Sequence, residues 1–179
     1  MSFQSLINKL AMTGQSNWYW AGLLLLGIMQ EVIALYYQYV LHKLPCVLCI
    51  HVRIWVMAMI LVAILGLSIR KKTLRNVAQV FIALISLGLL DRSWQLLGVE
   101  RGFILGSCSM DPGLPSWFAL DKWFPFMFEV QDMCGYTPVL LFGITMAEAL
   151  LVLSAVLLLL SSILAVSGVA VTLKSKTGT

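Results

Sequence analysis

The sequence predicts an all-α membrane protein, a four-transmembrane-helix bundle with a long loop between helices 3 and 4. Three observations predict it. Hydrophobic residues make up 60% of the 179 residues and charged ones only 11%, with a mean hydropathy of +0.94, whereas soluble domains average about 25% charged residues. A soluble fold of this size leaves too much surface in water to hide that much apolar side chain. Apolar stretches recur four times, each near the roughly 20 residues that cross a bilayer as a helix. The charges gather between them.

The first span is read over 18–41, where Glu31 is the single charge. Lys9 is the only basic residue ahead of it, and Tyr36-Tyr37-Gln38 stands where small cleavage-site residues would be needed. It is therefore expected to be a retained helix and not a cleaved signal. The second span covers 47–69 and the third 76–95, with Trp94 as an interfacial anchor. The fourth covers 142–170 with Glu148 near its start. Residues 1–179 then form one membrane domain, with loops over 42–46 and 96–141 and a turn over 70–75.

The charge distribution orients the bundle. Lys9, Arg70, Lys71, Lys72, Arg75, Lys174 and Lys176 occupy the termini and the 70–75 turn with no acid among them. The other two loops mix Lys43, Arg53, Arg92, Arg101 and Lys122 with six acidic residues, Asp91 to Asp132. Excess Lys and Arg marks the cytoplasmic side, so both termini are expected there. Both cysteine-bearing loops then face the other side, which in a bacterium is the periplasm, where thiols are oxidised. This placement also removes nucleic acid as the reason for the net charge of +4.

The long loop has internal order. Asp111-Pro112-Gly113 and Pro115 are turn residues. Ser116 to Trp123 reads as a short helix, with Trp117, Leu120 and Phe124 on one side and Pro125 ending or kinking it. It suits either the membrane–water interface or the top of the bundle.

Four cysteines are too few for a disulfide scaffold and match either two redox pairs or one metal site. Cys46 and Cys49, after Pro45, open the second helix, where unpaired amides and the helix dipole favour a thiolate. Residues three apart on a helix are neighbours, so the two can close a disulfide. Arg53 follows Cys49 by four and Cys46 by seven, on the same stripe. It stands either as a headgroup anchor or as a fixed charge beside the thiols and a bound electron acceptor, and the CxxC favours the second. His51, off that stripe, reads as an interfacial residue. Cys108 and Cys134 lie 26 residues apart in the long loop. Alone, a bridge between them would tether the loop; beside a CxxC on the same face, two exchanging pairs explain them better. Neither forms the short knuckle that zinc sites use, so no metal is expected. Glu31 either faces a polar pocket in the bundle or is simply tolerated in the span.

These residues resemble the DsbB family of quinone-linked disulfide oxidases. The resemblance runs over nearly the whole chain. It rests on Glu31 through Gln38, Pro45-Cys46-Val47-Leu48-Cys49, Arg53 and Arg92, then Cys108, Leu120-Asp121-Lys122-Trp123 and Cys134. It implies a bundle binding ubiquinone or menaquinone, drawn from the membrane pool, beside the first cysteine pair. It also implies a periplasmic DsbA-like partner of thioredoxin fold that the protein reoxidises. By position, Cys49 looks like the thiol that engages the quinone and Arg53 like the residue beside its ring. Cys46 resembles the exchange partner of the loop pair, Cys108 the cysteine the partner attacks, and Cys134 its disulfide mate. The implied activity is that of a protein-disulfide reductase (quinone).

Two departures stand out. Thr145-Met146-Ala147-Glu148 occupies the place where many relatives open the last helix with proline and tryptophan, and Glu100 falls where some carry a histidine. A vitamin K epoxide reductase-like protein would place its loop cysteines before the CxxC helix, the reverse of the order here. A small transporter or structural bundle with a disulfide-stapled loop is the alternative from another class.

Overall fold

The computed structural model describes residues 3–105, 111–140 and 143–177. Four helices in it are long and apolar enough to cross a membrane: α2 (Asn17–Tyr39), α3 (Val47–Ser68), α4 (Lys72–Glu100) and α7 (Met146–Thr177). Ahead of them lies α1 (Phe3–Gly14). At 12 residues it is too short to span, which is why hydropathy does not mark it. The long loop carries α5 (Leu120–Trp123) and α6 (Pro125–Phe128).

Local chemistry sets several boundaries. Ser16 caps α2 by accepting from the Trp18 amide at 3.3 Å. Thr145 and Glu148 form a reciprocal capping box that starts α7: the Thr145 amide donates to Glu148 Oε2 at 3.0 Å and the Glu148 amide to Thr145 Oγ1 at 3.3 Å. The last helix therefore opens at 146, later than the 142 read from hydropathy. α4 runs past both ends of the 76–95 span, since no proline interrupts Lys72–Glu100 and Gly98 is carried within the helix.

The four long helices alternate in direction. α3 packs on α2 and α4, and α7 packs on α4 and α1. Their common core holds Trp20, Met59, Ile82 and Leu89, each at most 1% exposed. Gly66 lets the α2–α3 crossing close up, since a Cβ there would run into the Trp20 indole. The Trp20 Nε1–H donates to the Gly14 carbonyl at 3.2 Å, fixing α1 to the bundle.

The two ends of the bundle differ. One end gathers α1 and the α3–α4 turn. There Arg75 donates to the Ile69 and Gln15 carbonyls and to Asn17 Oδ1, and Asn76 donates to Gly168 O at 3.0 Å and Thr172 Oγ1 at 2.8 Å. Arg75, counted above among the basic residues of a turn, is thus a buried clamp. The other end carries the α2–α3 connector and the long loop, which are joined by backbone bonds from Gln131 and Asp132 to the Pro45 carbonyl.

The loop departs from the single helix expected over Ser116–Trp123. A 3-10 turn at Ser116–Phe118 gives way to α5 after Ala119; α5 ends at Trp123, and Pro125 opens α6 beyond that break. Proline's preset φ and absent N–H suit a first turn. Trp117 is 76% exposed and Trp123 56%, while Phe128 and Val130 bury against Val47 and Ile50 of α3. Large apolar side chains facing outward at this end suit a bilayer surface.

Candidate functional site

Helix α3 begins at Val47, the start read for this span, with Pro45 just outside it. Cys46 is its N-cap, with extended backbone (φ −87°, ψ 172°), and its sulfur accepts from the Cys49 amide at 3.4 Å. Pro45, immediately before it, supplies the carbonyl that holds the loop. The Cys46 and Cys49 sulfurs lie 2.9 Å apart, near enough for a disulfide to close with a small adjustment.

Cys134 joins this pair. Its thiol is hydrogen-bonded to Cys46 and faces the backbone amides of Val47 and Leu48 at the start of α3. All three cysteines border one apolar cluster built on Leu96 and Ala147. The bonds from Gln131 and Asp132 to Pro45 O lie only two and three residues before Cys134, which accounts for its position. Cys108 lies outside the described residues.

Protonation follows from this geometry. For Cys46 the Cys134 thiol pulls downward, but the hydrogen bond with Cys49 and burial outweigh it and push the thiol up to about 12. The hydrogen bond to Cys46, and then burial, raise Cys134 above the usual thiol range, against the opposing pull of the Leu48 and Val47 amides. In the reduced form both residues hold their protons at neutral pH.

Beside Cys49 a cavity of about 220 Å³ opens among α2, α3 and α7. Its walls are mainly apolar, from Leu26, Val56, Leu150 and their neighbours, and Gln30, Glu31, Tyr37, Lys43, Arg53 and Tyr136 add polar groups. Such a pocket suits a flat apolar molecule with a few polar atoms at its rim. Cys46 does not line it; it faces the loop instead.

Arg53 is 5% exposed and does not reach to the headgroups. Its Nη1 donates to Gln38 Oε1 and to the Met127 carbonyl, each at 2.7 Å, and its Nη2 to the Ala34 carbonyl at 3.3 Å. Gln38, 3% exposed, also donates to Gln131 Oε1 at 3.3 Å. Gln38 ends the Glu31-to-Gln38 stretch that carries the family resemblance, but no role for it is legible in the sequence beyond an amide side chain in an apolar span, seven residues after Glu31.

Other singled-out residues do structural work. His51 Nε2 lies 2.8 Å from the Pro112 carbonyl, pinning the loop near α3. Glu100 accepts from the hydroxyl of buried Thr137. Glu148 pairs with Arg101 as well as capping α7, joining the end of α4 to the start of α7.

A four-span helical bundle that gathers three thiols at one end, one of them in the wall of a membrane-level cavity, is a membrane thiol–disulfide redox protein. Comparison with known proteins makes this specific. The family model for disulfide bond formation protein DsbB matches residues 16–164, and the chain belongs to that family. Disulfide bond formation protein B 2 of Pseudomonas aeruginosa is 33% identical over 132 residues, covering 72% of this chain and 78% of that protein. Disulfide bond formation protein B of Shewanella loihica is 30% identical over 153 residues, covering 82% and 86%. The Shewanella frigidimarina protein is 32% identical over 131 residues, covering 72% and 78%. The chain is accordingly a disulfide-forming oxidoreductase of the membrane.

Proposed function

We propose that the chain is a protein-disulfide reductase (quinone) that reoxidises a soluble DsbA-like protein of thioredoxin fold and passes the electrons to ubiquinone or menaquinone. The observation that carries this reading is the division of the CxxC: Cys49 lines the cavity while Cys46 touches Cys134 of the loop. The pair thus bridges a soluble donor and a lipid-soluble acceptor. The cavity fits a quinone, with apolar walls for ring and tail and Cys49, Arg53 and Glu31 at its polar side. When bound, a quinone supplies a sink for two electrons and two protons.

The proposed sequence of exchange starts at Cys108–Cys134. A partner thiolate attacks Cys108, giving a mixed disulfide and releasing Cys134 as a thiolate. The Val47 and Leu48 amides face that sulfur and favour the departing charge. The partner's second thiol then attacks its own mixed disulfide, leaving with an intramolecular disulfide and freeing Cys108. The reduced loop pair passes its electrons to Cys46–Cys49 by the same chemistry, with Cys134 attacking Cys46 and Cys108 resolving the Cys46–Cys134 bond to restore the loop disulfide. Oxidation of Cys46–Cys49 releases two electrons and two protons to the acceptor. Arg53, fixed by three hydrogen bonds, holds a positive charge beside Cys49 throughout. The basic termini and 70–75 turn put the cysteine end on the periplasmic side of a bacterial inner membrane.

Extraction of the purified protein tests this directly. A co-purifying quinone, reduced on addition of dithiol in wild-type protein but not in Cys49→Ser, is the expected result. A protein that neither carries nor reduces quinone would be a stapled structural bundle.

A further inference from the structure

Two of the polar side chains lining the cavity beside Cys49 have buried polar atoms that nothing pairs, and the relay uses neither. Glu31 is 6% exposed, and neither of its carboxyl oxygens has a hydrogen-bond partner among the described residues. The Gln30 amide beside it is likewise without a partner at both of its polar atoms. Arg53 is in a different state, since its two terminal nitrogens already donate to Gln38, Met127 and Ala34. Among the described residues, the buried polar atoms of the cavity lining that lack a partner therefore all lie on α2, one turn before Ala34.

Buried polar groups without partners are rare because each forfeits its hydration. A carboxyl in an apolar cavity has two ways to meet that cost: it carries a proton, or it waits for a ligand to bond. Glu31 is built for both, in the cavity that Cys49 also lines. We infer that Glu31 is a catalytic proton carrier of the cavity, giving a proton to the reduced acceptor's oxygen as the electron pair arrives from Cys49. This deepens the quinone reading and rests on it.

The step balances. Cys46 and Cys49 lose two electrons and two protons as their S–S bond forms, and the acceptor gains two electrons and two protons. Glu31 gives up one proton and takes one of the two that the thiols release, so it ends as it began. The other titratable or charged groups facing the cavity are Cys49 and Arg53 from α3, Tyr37 from α2, Lys43 from the α2–α3 connector and Tyr136 from the long loop. α4 and α7 contribute only apolar side chains there. Glu31 is thus the only carboxyl lining the cavity among the described residues.

The test uses full-length protein in nanodiscs with decylubiquinone as probe. Wild-type protein should show a protonated-carboxyl signal in infrared difference spectra that changes on quinone reduction. Glu31→Gln should lack that signal, bind decylubiquinone within about threefold of wild type, and lose about a hundredfold in kcat. Glu31→Asp should keep a displaced carboxyl signal and recover part of the rate, which separates proton transfer from misfolding. A Glu31→Gln protein that turns over at the wild-type rate with the carboxyl signal intact overturns the inference. So does a folded Glu31→Gln protein that no longer binds the probe, because Glu31 would then be a binding contact alone. If wild-type protein itself neither binds nor reduces decylubiquinone, the quinone reading fails first and this inference with it.

Discussion

Arg53 Nη1 donates to Gln38 Oε1 at 2.7 Å, joining two side chains that are each no more than 5% exposed inside the membrane bundle. The same nitrogen holds the Met127 carbonyl, and Gln38 holds Gln131, so this pair fastens the long loop to α2 and α3. The loop segment it fastens ends at Cys134. A polar contact at the cavity therefore helps to set the distance between two thiols outside it.

Gln38→Leu tests that coupling. It leaves a buried guanidinium short of an acceptor, which costs about 1–3 kcal/mol, and it frees Gln131. Hydrogen exchange over 127–134 should rise and thermal stability in detergent should fall. Unchanged exchange there would mean that the bonds to Pro45 hold the loop unaided.

Arg53→Ala should raise the apparent KM for quinone while the protein still inserts. Arg53→Lys should recover only part, because an ammonium cannot reproduce a planar fork that serves Gln38, Met127 and Ala34 together. Steady-state kinetics with decylubiquinone decides this. Normal KM values for both variants would leave Arg53 as a structural clamp alone.

The raised thiols predict a pH profile for the reduced protein. With Cys46 pushed up to about 12, its thiolate fraction at any pH below that is smaller than that of a free cysteine. Alkylation by iodoacetamide, which needs the thiolate, should stay slow through pH 9 and climb about tenfold per pH unit above it. Cys134 should behave in the same sense, since it too is raised. Mass spectrometry of the alkylated peptides reads both, and a plateau near pH 8 to 9 at Cys46 would contradict the proton-holding contact.

Directional trapping tests the relay. A partner that lacks its second cysteine should accumulate as a mixed disulfide with Cys108, because nothing on it can resolve that bond, and the adduct is visible on a non-reducing gel; Cys49→Ser should stop quinone reduction. Capture of the partner on Cys46 or Cys49 in otherwise intact protein would reverse the proposed order. In a cysteine-free background, a cysteine at Trp117 should label with impermeant maleimide in spheroplasts and one at Lys72 should not.

Hydropathy and the cysteine pattern were enough to determine the class of fold and the family likeness, because both are local properties. Twenty apolar residues in a row must become a helix in lipid, where every backbone amide needs an internal partner. A CxxC likewise brings its two sulfurs together within one helical turn. The Thr145-to-Glu148 box was legible too, as a Thr-x-x-Glu motif, and would have moved the start of α7 to its observed place. Tertiary structure alone decided the rest. Cys134 meets Cys46 through loop amides bonded to the Pro45 carbonyl, and Arg53 turns inward because the Met127 carbonyl and Gln38 await it. Glu31 and Gln30 stand unpartnered because α3 and α7 wall a cavity around them. The bonds among them join residues 15 to 88 positions apart, and backbone carbonyls that any residue can supply make several of them. No local pattern marks such partners, so only the packed chain assigns them.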